Sequence, residues 1–313
     1  MQNLGNLNNQ YTLLSVKYGD PPIIAYTARH NQNNNNYIIE FRNNEIPANE
    51  INILNILNNA NNPNILRFIE NGNGLLTLNN KPPKNKHFII FEDAPKFHLF
   101  DYIQNNGFSE RHAKFIFKKI LNGIRAIHNA NICHRNINSE NILFDENYNP
   151  KIYGFYFSCL NANNLQQFGG NQNYLAPEIL RHMPYDGKIT DIFSLGYLLF
   201  TLVSGHLGFN SSNDNDKYYS SIKLKQYPKY WDFISKSFGL NLTQSFKNLF
   251  VRMVAYIPNE RPSVEEILND EWMQEINNLN NEQMIALGNE VRNVLLGREN
   301  KIQNHLNEEL GER

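Results

Sequence analysis

The sequence predicts an α+β fold: a small β-rich part with one main helix, then a larger helical part, then a helical tail. Three observations predict it. Short runs rich in β-branched and aromatic residues are concentrated near the start, in Tyr11 to His30, in YIIEF at Tyr37 to Phe41 and in HFIIFEDA at 87–94. From Glu110 to His128 apolar residues recur at helical spacing, and the apolar segment Ile192 to Val203 is too short to span a bilayer and reads as a buried helix. From Glu282 to Leu310, residues Met284, Leu287, Val291, Val294, Leu295, Ile302, Leu306 and Leu310 mark one amphipathic helix.

In chain order, the Asn-rich N-terminus reads as loop, and the strand pieces after it flank a Gly-Asp-Pro-Pro break. The Asn run at 31–36 is a turn before YIIEF. Asn49 to Leu57 (NEINILNIL) is the main helix of the first part, and NNPNIL at 61–66 turns the chain back. In the tail, Gly288 and Gly297 each cost about 1 kcal/mol against Ala within a helix.

Composition limits the function classes. A chain of 313 residues with 41% hydrophobic and 12% aromatic residues can bury a large core. A formal net charge of −1, with no Lys/Arg run, gives no general reason to bind nucleic acid or an acidic membrane surface. Cys133 and Cys159 make neither a disulfide framework nor a metal-ligand spacing, which places the chain in a reducing intracellular compartment such as the cytoplasm.

The stretch His134 to Tyr156, HRNINSENILFDENYNPKIYGFY, carries the chemistry. It resembles the catalytic and metal-binding loops of the protein kinase family, whose His-Arg-Asp supplies the base and whose Asp-Phe-Gly supplies a metal ligand. On that resemblance Asn136 stands at the base position, Asn138 at the phosphate-contacting lysine and Gly154 at the metal aspartate, while Asn141 is retained. An amide holds neither a proton nor a cation as a carboxylate does, and glycine has no side chain. LFDYIQ and LFDENYNPKI look most like the calcium/calmodulin-dependent group.

The resemblance extends in both directions. YIIEF occupies the strand that carries the ATP-anchoring lysine and puts Glu40 at that position, with Ile38 narrowing the adenine slot; Glu50 would be the lysine's helix partner. Two facing carboxylates imply that one is protonated or reoriented, or, the reading with more weight, that the helix is rotated outward. Arg42 and Lys17 are cations able to substitute, although their simplest reading is as solvated surface charges. The phosphate loop keeps only Gly19 and gains Pro21 and Pro22, which remove backbone donors. The cleft would be lined by Phe91, Glu92, Ala94, Asn141 and Leu143. Structural positions stand intact: His134, Arg135, Phe155, Ala176, Pro177, Glu178, Asp191 and Arg261. Of these, Asp191 would bind the backbone of the HRN turn, Arg261 would pair with Glu178, and Arg135 lacks an obvious phosphorylated partner.

The resemblance therefore implies a two-lobed kinase-like fold with an N-lobe over 1–93, a C-lobe over 94–275 and a tail over 276–313. Losses at base, lysine and metal positions imply a pseudokinase that is no enzyme, with no cofactor and no metal site. It would act as a scaffold, allosteric partner or structural subunit, for example of a cytoskeletal or similar assembly. It would bind protein partners, with the tail a candidate interaction helix, and neither nucleic acid nor membrane. The alternative is an atypical nucleotide-binding protein or weak serine/threonine kinase that uses Lys17 or Arg42 with Asn141, sparing metal.

Overall fold

The computed structural model describes residues 3–19, 23–79, 81–103 and 107–311. Its first lobe is a closed antiparallel barrel of β1 (Gly5–Leu7), β2 (Tyr11–Tyr18), β3 (Ile23–His30), β4 (Asn36–Arg42), β5 (Phe68–Leu78) and β6 (Lys84–Glu92), with strand order β1-β2-β3-β4-β6-β5 and β5 pairing back to β1. Leu7, Leu13, Ala28, Ile39, Phe41 and Ile90 fill the barrel. Successive side chains on a strand point to opposite faces, so Ile38, Glu40 and Arg42 of β4 face the other way. There Ile38 joins the main core. Both faces of β4 are buried, which is why YIIEF shows no polar alternation.

The Asn-rich N-terminus is not all loop. Gly5 to Leu7 form a strand, because Leu7 is fully buried in the barrel and Gly5, at φ 151°, passes so close to β5 that a Cβ would lie 2.0 Å from the Thr77 carbonyl oxygen. Only glycine fits there. Helix α1 (Ala48–Ala60) buries Glu50, Ile53, Leu54 and Leu57, a stripe at helical spacing, and ends at Asn61 in the left-handed conformation.

The second lobe is helical: α2 (Leu99–Ile103), α3 (Glu110–Asn129), α4 (Pro177–Leu180), α5 (Gly187–Ser204), α6 (Lys217–Lys223), α7 (Tyr227–Phe238), α8 (Gln244–Met253), α9 (Val264–Leu268), α10 (Gln274–Asn277) and α11 (Asn281–Gly311). Two small antiparallel pairs lie on its upper face: β7 (Ile132–Cys133) with β10 (Cys159–Leu160), and β8 (Ile142–Phe144) with β9 (Pro150–Ile152). Helix α5 is buried along almost its whole length, so its apolar run has no polar stripe. The lobes together give the two-lobed α+β architecture of a protein kinase.

Helix α11 packs on its own C-lobe through Leu287, Val291 and Leu295, while Ile285 and Leu296 stay exposed. The side chain of Leu310 lies outside the described residues. Farther along, Glu299 accepts hydrogen bonds from Lys96 Nζ at 3.1 Å, Tyr102 Oη at 3.2 Å and Tyr148 Oη. Arg298 donates to the Tyr102 and Gly107 carbonyls at 2.5 and 2.8 Å. The tail thus passes beside the segment that joins the lobes. Among the described residues no helix is long and apolar enough to cross a membrane.

Candidate functional site

The cleft between the lobes gathers residues from β2, β4, α1, β6 and the loops after β7 and β9. Its rear cavity, about 280 Å³, is lined by Tyr18, Glu40, Arg42, Glu50, Phe91, Asn141, Tyr153 and Gly154, among others. At its centre β4 and α1 bring three charges together. Arg42 Nε donates to Glu40 Oε1 at 2.6 Å, and its Nη1 and Nη2 donate to the two oxygens of Glu50 at 2.6 and 2.7 Å. All three residues are buried. Two readings of the sequence are corrected here: α1 is not rotated outward, and Arg42 is not a solvated charge. The physical reason is strand alternation, which puts Arg42 on the same face as Glu40, where its guanidinium reaches over to bridge the facing carboxylates. The cation of the Lys-Glu pair is therefore present, as an arginine two positions further on.

Burial pushes the Glu40 carboxyl up, Arg42 opposes that, and the Glu50 charge adds to it. Tyr18 Oη lies 3.5 Å from Glu40 Oε2, and burial together with the Glu40 charge raises its phenol well above its ordinary value. The Tyr18 ring reaches across the cleft to within 4.9 Å of Tyr153 and 5.3 Å of His98, centroid to centroid. Beside it Lys17 donates from Nζ to the Lys96 carbonyl at 2.5 Å, so the two lobes are latched across the mouth. Lys17 is not a solvated charge either: burial brings its ammonium down to about 8. Sequence reasoning missed Tyr18, Tyr153 and His98. The signal was there for two of them, since a bulky Tyr153 directly precedes Gly154 and Tyr18 directly precedes Gly19.

Phe91, Ala94 and Leu143 are buried, and Glu92 pairs with Lys151 at 2.8 Å. Pro21 and Pro22 lie outside the described residues. The three replaced positions of the central loops have local partners. Asn138 Oδ1 accepts from the backbone N–H groups of Glu140 and Asn141 at 2.9 and 3.0 Å, capping the turn Ser139–Asn141. Asn136 Oδ1 accepts from Asn171 N–H at 3.1 Å and from Asn138 Nδ2 at 3.2 Å, tying the loop to the segment that follows Gly154. Gly154 has φ 86°, and a Cβ there would lie 2.7 Å from Asn141 Oδ1. Asn141 in turn donates to the Asn136 carbonyl at 2.8 Å.

This donor set does not fit a divalent cation. Asn141 is a neutral ligand turned toward Asn136, Gly154 offers no oxygen from a side chain, and among the described residues no group of three His, Cys, Asp or Glu could hold a metal ion.

The supporting frame is built from buried, fully partnered groups. Asp191 accepts from the His134 and Arg135 N–H groups at 2.8 Å each. His134 donates from Nε2 to the Tyr153 carbonyl, 3.0 Å away, and its ring lies 4.9 Å from that of Phe155; burial holds its imidazole below the ordinary value. Arg261 forms a fork with Glu178 at 2.6 and 2.8 Å. Arg135 does have partners: it donates to the Phe157 carbonyl at 2.9 Å, the Gln167 carbonyl at 2.5 Å and Tyr185 Oη at 3.0 Å. Backbone carbonyls and a phenol take the place of a phosphorylated partner.

A cleft between a β lobe with one inward helix and a helical lobe, with an Arg-Glu pair at its rear and an HRN loop at its floor, defines a phosphotransferase-type scaffold. A sequence model of the protein kinase domain matches residues 25–273, and the chain belongs to the protein kinase family. It is 33% identical over 195 residues to CBL-interacting protein kinase 8 of Oryza sativa subsp. japonica, covering 61% of this chain and 42% of that protein. It is 32% identical over 197 residues to CBL-interacting serine/threonine-protein kinase 26 of Arabidopsis thaliana, covering 61% and 43%. It is also 32% identical over 220 residues to the probable serine/threonine-protein kinase HSL1 of Saccharomyces cerevisiae, covering 69% and 14%. The matched region spans less than half of each of these relatives. These names overturn the expectation that the chain is no enzyme: the proteins it resembles are serine/threonine kinases. That expectation counted replaced positions and, although Arg42 could substitute, took it more readily as a solvated surface charge.

Proposed function

We propose that this domain is an atypical nucleotide-binding member of the serine/threonine kinase family with weak phosphotransfer activity. The observation that carries the reading is the Arg42 fork on Glu50, which keeps α1 inward and a cation at the rear of the cleft. Arg42 and Lys17 would face the phosphates, sparing metal, and Asn141 would bond to them once turned from Asn136. The Asn136 amide can orient a substrate hydroxyl by hydrogen bonding but cannot take its proton, so transfer is slow; most of the acceleration in phosphoryl transfer comes from positioning and charge. Tyr18 lines the rear of the cleft beside Glu40, where the phosphates would lie, so binding requires it to swing out. The exposed Ile285 and Leu296 on the outer face of α11 favour a second role, docking a protein partner.

Calorimetry of ATP binding, with and without Mg²⁺, tests the first reading. Binding in the micromolar to millimolar range that persists without Mg²⁺, tightens in Tyr18→Ala and weakens in Arg42→Ala is expected. Absence of heat in both the natural protein and Tyr18→Ala would sink it. Transfer of labelled phosphate to a basic Ser/Thr peptide should be slow but above the Arg42→Ala background; equal rates would remove the phosphotransfer half of the reading.

A further inference from the structure

The two cysteines, far apart in sequence, meet beside the HRN loop. β7 and β10 pair antiparallel with Cys133 directly opposite Cys159, and the two sulfurs are 3.1 Å apart as free thiols. A bonded pair sits at about 2.05 Å, so a small approach closes the gap. Cys133 cannot turn away: it is fully buried, and Gly187 packs so tightly on it that a Cβ there would lie 2.4 Å from its sulfur. Cys159 is half-buried and open to small reagents. A hydrogen bond from Cys133 and the nearby Arg135 charge bring the Cys159 thiol down to about 7, while the same bond and burial push Cys133 up. The pair therefore divides into one thiol that ionises more readily and one that keeps its proton, an attacking and a resolving partner.

We propose that Cys133 and Cys159 form a peroxide-responsive dithiol that closes to a disulfide between the HRN loop and the segment after Gly154. The Cys159 thiolate attacks one oxygen of hydrogen peroxide, the O–O bond breaks, and the departing hydroxide takes a proton to leave as water, giving the sulfenic acid. The Cys133 sulfur then attacks that sulfur, its proton leaves with the displaced hydroxide as a second water, and the S–S bond forms. Two thiols and one peroxide give one disulfide and two waters. Geometry makes the bond consequential. Cys133 directly precedes His134, and Cys159 follows Ser158, whose Oγ donates to the His134 carbonyl at 3.0 Å and whose own carbonyl accepts from Asn49 of α1 at 3.3 Å. The bridge would clamp three parts of the cleft at one point.

The test treats the reduced full-length chain with hydrogen peroxide near equimolar amounts, followed by intact-mass measurement, thiol titration and non-reducing peptide mapping. The expected result is loss of both thiols, a mass lower by two hydrogens, a single Cys133–Cys159 linked peptide, full reversal by dithiothreitol, and a melting temperature raised on the order of 5 °C while oxidised. In Cys133→Ala, dimedone should trap Cys159 sulfenic acid several-fold more than in the natural protein, because the resolving thiol is gone. Three results would overturn the proposal: Cys159 advancing to sulfinic acid with Cys133 still titratable, links only between separate chains, or equal dimedone labelling of variant and natural protein.

Discussion

Two buried arginines hold this molecule together, and they do so differently. Arg261 meets one carboxylate, Glu178, and spends its remaining donors on the Ala255 and Ile189 carbonyls at 2.9 and 3.3 Å. The pair is neutral: its single cation and single carboxylate close on each other. Arg42 meets two carboxylates, so the cluster carries one net negative charge unless Glu40 holds a proton. Its open side faces the cleft, with the Tyr156 ring 5.0 Å from the guanidinium carbon. A closed pair can only hold elements in place, whereas an unbalanced cluster responds to pH and to any charged ligand.

The largest effect should come from breaking the closed pair. Arg261→Met leaves Glu178 buried without its cation, which costs about 3–5 kcal/mol and should appear as a large drop in the urea midpoint with an unchanged slope. Arg42→Met should cost less, about 2–4 kcal/mol at neutral pH, because carboxylates at the edge of a cleft can take up protons. Its deficit should also shrink as the pH is lowered and the carboxylates left without Arg42 take up protons. If the two variants lose the same stability at every pH, the distinction between closed and open arginines fails.

Much of the frame was legible in the sequence, because motifs with fixed spacing mark contacts made by the backbone or by one neighbouring turn. The HRN turn, Ala176-Pro177-Glu178 and the helix at 191–205 fall into this class. The tail helix was legible as well, since Leu287, Val291 and Leu295 sit at helical spacing and are buried. The cleft was harder. Strand alternation places Arg42 beside Glu40, but whether the guanidinium points to solvent or to Glu50 depends on how α1 docks, which no local pattern encodes. The strand at Gly5 to Leu7 was hidden for a similar reason: its partner β5 lies some seventy positions away, as in the pairing of Leu7 with Leu76, and its own composition is that of a loop. The Cys133 and Cys159 contact also needs two strands of two residues each, below any length at which periodicity speaks.

A smaller effect tests the open cluster without unfolding the protein. Glu40→Gln keeps a group able to hydrogen-bond Arg42 and removes the surplus charge. Nucleotide phosphates approaching the rear of the cleft would then meet a neutral pair, and affinity for ADP should rise roughly fivefold to tenfold, an effect of about 1 kcal/mol for one partly screened charge. Fluorescence titration with ADP reads this directly. Unchanged affinity would mean that the Glu40 charge is not felt at the phosphate position.

The smallest effect is the pH dependence of that difference. Glu40 binds its proton more tightly in the folded chain than in the unfolded one. Its contribution to stability is therefore complete below the ordinary carboxylate range and is lost as the pH rises through its raised value. The same proton neutralises the cluster, so ADP affinity of the natural protein should be greatest on the acid side and decline over that interval. Other groups titrate too, among them Lys17 near 8 and the phosphates of the nucleotide itself. Those are shared by Glu40→Gln, so the ratio of the two affinities isolates Glu40. That ratio should approach one at the acid end and widen as the pH climbs above the ordinary carboxylate range. A ratio constant with pH would mean that Glu40 stays ionised throughout, and the cluster would then keep its surplus charge at every pH.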